Sequence, residues 1–74
     1  MHKYSRDEFV STQQRQREGR CPCCGTSDWN NWPGSEPKEI NEQKHVSICA
    51  YCVHRGHDDK LIVAEIMYLL SGCA

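Results

Sequence analysis

No stretch of this chain approaches the roughly 20 apolar residues that a helix needs to cross a bilayer, and hydrophobic residues make up only 38% of it. That excludes a transmembrane segment. The opening residues, Met1-His2-Lys3-Tyr4-Ser5-Arg6-Asp7-Glu8, are acidic where a signal peptide would carry its apolar region. The expected location is therefore a reducing cytoplasm. Charge of one sign is also missing: nine basic residues face ten acidic ones, for a net charge of -1. No general attraction to nucleic acid is encoded. Large apolar side chains are scarce, with one Phe, two Met and two Trp in 74 residues. A single domain of this size buries too little apolar surface to be comfortably stable without a cross-link, a metal or a partner. There is no internal repeat, and no low-complexity tract beyond the short polar run at residues 12–17.

Against these absences stand six cysteines, three of them inside GRCPCCGTSDW at residues 19–29. Clustered thiols in a reducing compartment are more often metal ligands than disulfides. Cys21 and Cys24 form one CxxC, Cys49 and Cys52 another, and 24 residues separate the pairs. Two such pairs predict one tetrahedral Zn2+ per chain, held by four thiolates in a structural role. The tight turn of each pair lets backbone N–H groups point at the first sulfur, and Gly25 supplies the positive φ such a turn favours.

Cys21-Pro22-Cys23-Cys24-Gly25 resembles the CPxCG knuckle of zinc-ribbon proteins, with Cys49-Ala50-Tyr51-Cys52 as the second knuckle, over residues 20–54. The resemblance implies a zinc-bound β-hairpin and a binding role more than any one reaction. Val53 stands where a glycine often follows the second knuckle, which leaves a treble-clef-like arrangement open. The expected fold is a small α+β zinc-binding domain, a zinc-ribbon or treble-clef-like hairpin flanked by an N-terminal and a C-terminal helix.

The whole of residues 1–74 reads as one domain: an N-terminal helix within 1–19, knuckles and hairpin in 20–54, and a C-terminal helix in 58–72. Ser5-Arg6-Asp7-Glu8 has the spacing of a capping box. A helix over residues 6–18 follows, with Gly19 as its stop and Phe9 and Val10 as its thin apolar content. Trp29-Asn30-Asn31-Trp32 reads as a short strand, Pro33-Gly34-Ser35-Glu36-Pro37 as a turn or loop, and Val46-Ser47-Ile48 as the strand that leads into Cys49. Asp58 or Asp59 caps the last helix and Ser71-Gly72 ends it.

Cys23, inside the first knuckle, and Cys73 read as bystander thiols. His45, His54 and His57 complicate the ligand set, because imidazole also binds zinc; four cysteines satisfy one ion, so His54 and His57 are the substitutes should a cysteine drop out, and a second ion is not expected. A dithiol redox site would need an exposed CxxC in a thioredoxin-like setting, which is not visible. A closed four-thiolate site leaves no position for water or substrate, and Asp58-Asp59 are better read as helix caps than as acid and base. The chain is not expected to be an enzyme or to take a small-molecule substrate.

Between residues 61 and 70 only Glu65 is charged. Ile62, Ile66, Leu69 and Leu70 line one face, which Val63 and Met67 widen, and so broad a stripe predicts a homodimer or a protein partner. Should the first helix fold back instead, Phe9 and Val10 would cover the stripe. Trp29 and Trp32 serve either as hairpin core or as a stacking surface. Arg15, Arg17, Arg20 and Arg55 are the candidates for contact with phosphates. Two functions follow: a small regulator or inhibitor working by protein contact, of the sort phages and mobile elements encode, or a nucleic-acid-binding, transcription-associated module. Charge favours the first.

Overall fold

Ser5 starts the first helix as its spacing predicts: its hydroxyl accepts from the Glu8 backbone N–H at 3.3 Å, and α1 (Arg6–Arg17) follows. The computed structural model describes residues 4–72. The reading of Cys73 as a free thiol lies outside them. α1 ends one residue short of expectation, with Glu18 as its C-cap and Gly19 turning the chain away.

The hairpin comes later in the chain than its residues suggest. Trp29-Asn30-Asn31-Trp32 forms no strand; the whole run from 26 to 37 is turn and loop. The strands are β1 (Lys38–Asn41) and β2 (Val46–Ile48), antiparallel. The physical reason is local. Pro33 and Pro37 offer no N–H to a ladder, whereas the Asn41 side chain accepts from the Lys44 N–H at 2.9 Å and closes a turn over residues 42–45. β1 is bulged: Glu39 pairs with Ser47 and Asn41 with Val46, leaving Ile40 as the extra residue. β2 alternates as expected, with Val46 and Ile48 buried.

A further helix, α2 (Ala50–His54), begins directly after Cys49 and was not apparent from periodicity. It stops in a Schellman turn: the Gly56 N–H donates to Val53 O at 3.0 Å and the His57 N–H to Cys52 O at 2.9 Å. Gly56 holds φ of 81°, which a side chain would strain. α3 (Lys60–Ser71) is capped by Asp59, whose carboxylate accepts from the Leu61 N–H. Asp58 is not the cap; it accepts from Lys38 Nζ at 2.9 Å, tying β1 to the start of α3.

Sulfur occupies the middle of the core. Cys21, Cys49 and Cys52 are buried with Val46, Ile48 and Ile66. α1 crosses α3 on the outside of this cluster. The Phe9 ring is buried edge-on to Tyr68 at 5.5 Å, and Gln13 Nε2 donates to Leu69 O at 3.0 Å and Gly72 O at 2.8 Å. The fold-back therefore takes place, but through Phe9 and Gln13, because Val10 points outward and is exposed. Of the five residues expected to face a partner, Ile66 is 5% exposed and belongs to the core, while Ile62, Met67, Leu69 and Leu70 are half-buried. Leu61, 77% exposed, is the large apolar residue of α3 left most open. Among the described residues no helix is long and apolar enough to cross a membrane.

Candidate metal centre

Two short turns set the four sulfurs. In the first, the Gly25 N–H donates to Cys21 O at 2.7 Å and the Cys21 N–H to Thr26 O at 3.0 Å, so the chain doubles back between Cys21 and Cys24. Gly25 has φ of 84°, as the knuckle spacing predicts. In the second, Cys49 is the N-cap of α2 and Cys52 lies in its first turn. The loop before β1 fastens that helix start: the Ala50 N–H donates to Trp29 O at 2.9 Å and the Tyr51 N–H to Asn31 Oδ1 at 2.9 Å. Orphan donors of the helix end are thereby satisfied.

The result is a cluster in which the Sγ atoms of Cys21, Cys24, Cys49 and Cys52 all lie within 4.8 Å of one another. Cys21 and Cys52 are 3.8 Å apart, Cys24 and Cys49 3.5 Å. Tetrahedral zinc with bonds of about 2.3 Å would separate its sulfurs by about 3.8 Å. A disulfide would need about 2.05 Å, and the cysteines at 21, 23, 24, 49 and 52 are all free. Donor type, number and spacing thus fit a soft divalent ion.

Donors surround these sulfurs. The Cys49 N–H reaches Cys21 Sγ at 3.4 Å, so the first sulfur of one knuckle is met by the backbone of the other, where the sequence alone suggests its own turn. Asn31 Nδ2 lies 3.5 Å from Cys49 Sγ. Burial works against a thiolate at Cys49, but the Cys52 N–H, the neighbouring thiols and Asn31 outweigh it and bring this thiol down to about 7. Burial pushes the Cys24 thiol up to about 11, although the Thr26 N–H opposes it. Burial raises Cys52 further, aided by its donation to Cys49 and by the charge at Cys21. A divalent cation bound among these sulfurs favours their thiolate form and releases their protons.

Of the two substitute ligands, His54 is not brought to the cluster. Its ring stacks on Trp32 at 4.4 Å, and Trp32 also lies against Tyr51 at 5.4 Å. Trp32 is partly exposed, while Trp29 packs on the core and donates to Gly19 O at 3.0 Å. Of the two readings left open, hairpin core fits Trp29 and an exposed stacked surface fits Trp32. His57 does reach the centre, returned there by the turn at Gly56, and its Nδ1 is 3.2 Å from Cys23 Sγ. Cys23, read as a bystander, therefore has a specific neighbour. Asn31 and the Cys23–His57 pair are what sequence reasoning missed; Gly56 after His54-Arg55 was the available signal for the helix stop that places His57.

Two of the four candidate arginines, Arg15 and Arg20, lie at the first knuckle. Arg20 Nη1 donates to Gly25 O at 3.3 Å and its Nε pairs with Glu18 at 3.3 Å. The Arg15 side chain lies over Gly25. Arg17 and Arg55 are exposed, and the Arg55 guanidinium is 6.0 Å from the Tyr51 ring. Compared with protein-family models, with curated proteins and with solved structures, the chain matches none.

Proposed function

We propose that this chain is a treble-clef-like zinc module that works by contact with another protein, as a small regulator or inhibitor in a reducing compartment, and has no catalytic turnover of its own. The observation that carries it is the set of four sulfurs at tetrahedral spacing. Four thiolates fill the coordination of one Zn2+, and an ion so enclosed acts as scaffold rather than as Lewis acid. Cys49 and Cys52 at the start of a helix support the treble-clef-like variant over a plain ribbon.

Trp32, Tyr51 and His54 lie against one another beside the second knuckle, and Trp and Tyr are enriched at protein contacts. Leu61, with the half-buried Ile62 and Leu69 beside it, forms the second surface, and a second copy of the chain is its simplest occupant. The rival, nucleic-acid binding, draws on the same exposed Trp32 with Arg55 nearby. The test is affinity capture from the native host with wild type and Trp32→Ala, beside light scattering of the zinc-loaded protein. Recovery of one stoichiometric protein, or a dimer, that disappears on chelation is the expected result. Salt-sensitive recovery of DNA or RNA, with no protein partner and a monomer in solution, would overturn it in favour of the rival.

A further inference from the structure

The four-sulfur cluster is not the only group of soft ligands in the molecule. Cys23 Sγ, Cys52 Sγ and a ring nitrogen of His57 also lie within 4.8 Å of one another. The two groups share Cys52, which is fully buried, whereas Cys23 and His57 are half-buried. An ion bound at about 2.3 Å from sulfur and about 2.0 Å from nitrogen separates the two atoms by about 3.5 Å. The observed distance from Cys23 Sγ to His57 Nδ1 is 3.2 Å, a few tenths of an ångström from that.

We infer that Cys23, Cys52 and His57 form a second site for a soft divalent ion such as Zn2+ or Cd2+, with the Cys52 thiolate bridging it to the first. The inference rests on the four-thiolate reading of the main site. Three protein ligands leave one position open, so this ion is exchangeable where the first is enclosed. Thiolate and imidazole together select zinc-like metals over calcium or magnesium. Access exists: Cys23 lines an open groove between α1 and α3 together with Asp7, Glu8 and Glu65, and with Arg15 as the opposing charge. The backbone fixes the geometry independently of any ion. Cys23 is held inside the knuckle turn, and the Schellman turn at Gly56 binds the His57 N–H to Cys52 O itself. A plain S–H to imidazole hydrogen bond would explain the 3.2 Å contact but not the convergence of the Cys52 sulfur on the same point.

The experiment is native mass spectrometry of the zinc-loaded Cys73→Ser protein titrated with Cd2+, with thiolate-to-metal absorption followed in parallel. Cys73→Ser removes the remaining thiol as a competing ligand. One ion is expected at stoichiometric metal and two in excess. Cys23→Ser and His57→Gln, each on its own, should keep the first ion and the far-ultraviolet circular dichroism while weakening the second at least about tenfold, a loss that even outer-shell changes reach. A wild-type count that stays at one in excess metal, or a second ion that binds both variants as well as the parent, overturns the second site and leaves the main one standing. Loss of the first ion in either variant overturns both, because it moves Cys23 or His57 into the structural set.

Discussion

Around Cys21 and Cys52 the chain buries sulfur where a small domain would ordinarily bury leucine and phenylalanine, and where α1 crosses α3 it packs aromatic rings around the buried Phe9. The first region is drawn from short turns, a two-stranded ladder and a five-residue helix. None of these is stable alone. Its buried cluster of Cys21, Val46, Ile48, Cys49, Cys52 and Ile66 holds as many thiols as aliphatic side chains. The second region is made of two twelve-residue helices joined by Phe9, Tyr4 and Tyr68 and by the Gln13 amide. On the proposed metal reading, the contrast teaches where the folding energy comes from: coordination by the four sulfurs on one side, burial of Phe9 and helix capping on the other.

The harshest way to break this contrast is to take the ion away. Structural zinc contributes on the order of 10 kcal/mol to small domains, so a strong chelator or Cys52→Ser should unfold the knuckle region and with it the chain. Acid should do likewise, since protons compete for the thiolates and the ion is released as pH falls. Circular dichroism with metal analysis checks this; a chelated protein that keeps its thermal transition would refute it. A milder probe acts on the other region. Phe9→Ala empties the ring contact under α3 and should lower stability by about 3 kcal/mol while zinc content stays at one per chain. Loss of metal in that variant would mean that the two regions are a single unit.

The smallest effect tests the tie between them. Lys38 beside Asp58 holds the Asp58 carboxyl below its ordinary range, first by hydrogen bonding and then by charge. A carboxyl lowered in the folded state adds stability above its unfolded value and loses it as pH falls through the folded one. The melting temperatures of wild type and Asp58→Asn should therefore differ slightly near neutrality and converge in acid, with the difference also shrinking in high salt. A gap that widens on acidification would have the wrong sign.

How much of this was legible in the residues follows the same division. The knuckle cysteines, Gly25, the Ser5 cap and the alternation of Val46 and Ile48 are local signals, and the structure carries each one. The first strand was misplaced because Trp29 and Trp32 are good strand formers that are here used as a latch and a stacked surface. α2 was hidden by its brevity: five residues show no helical period. Asn31 and the Cys23–His57 contact were out of reach for another reason. They depend on where distant turns bring the chain, with Cys23 and His57 lying 34 positions apart, and no spacing rule speaks at that range. The covering of α3 by α1 was an open alternative because Phe9 is so little apolar surface; the side-chain amide of Gln13 at the last carbonyls of α3 is a bond that composition does not advertise.

That amide closes a very long loop, since 56 positions separate Gln13 from Leu69. The entropy of bringing chain ends together rises with the logarithm of the loop, by about 0.6 kcal/mol for each doubling. When Cys21 and Cys52 share one ion, the path from Gln13 to Leu69 runs through under half as many residues. The meeting of α1 and α3 is then entropically easier by about the same 0.6 kcal/mol, without any atom of those helices touching the metal. The two closures therefore favour one another, and on metal removal the amide protons of α1 should exchange with solvent sooner than in the metal-loaded protein.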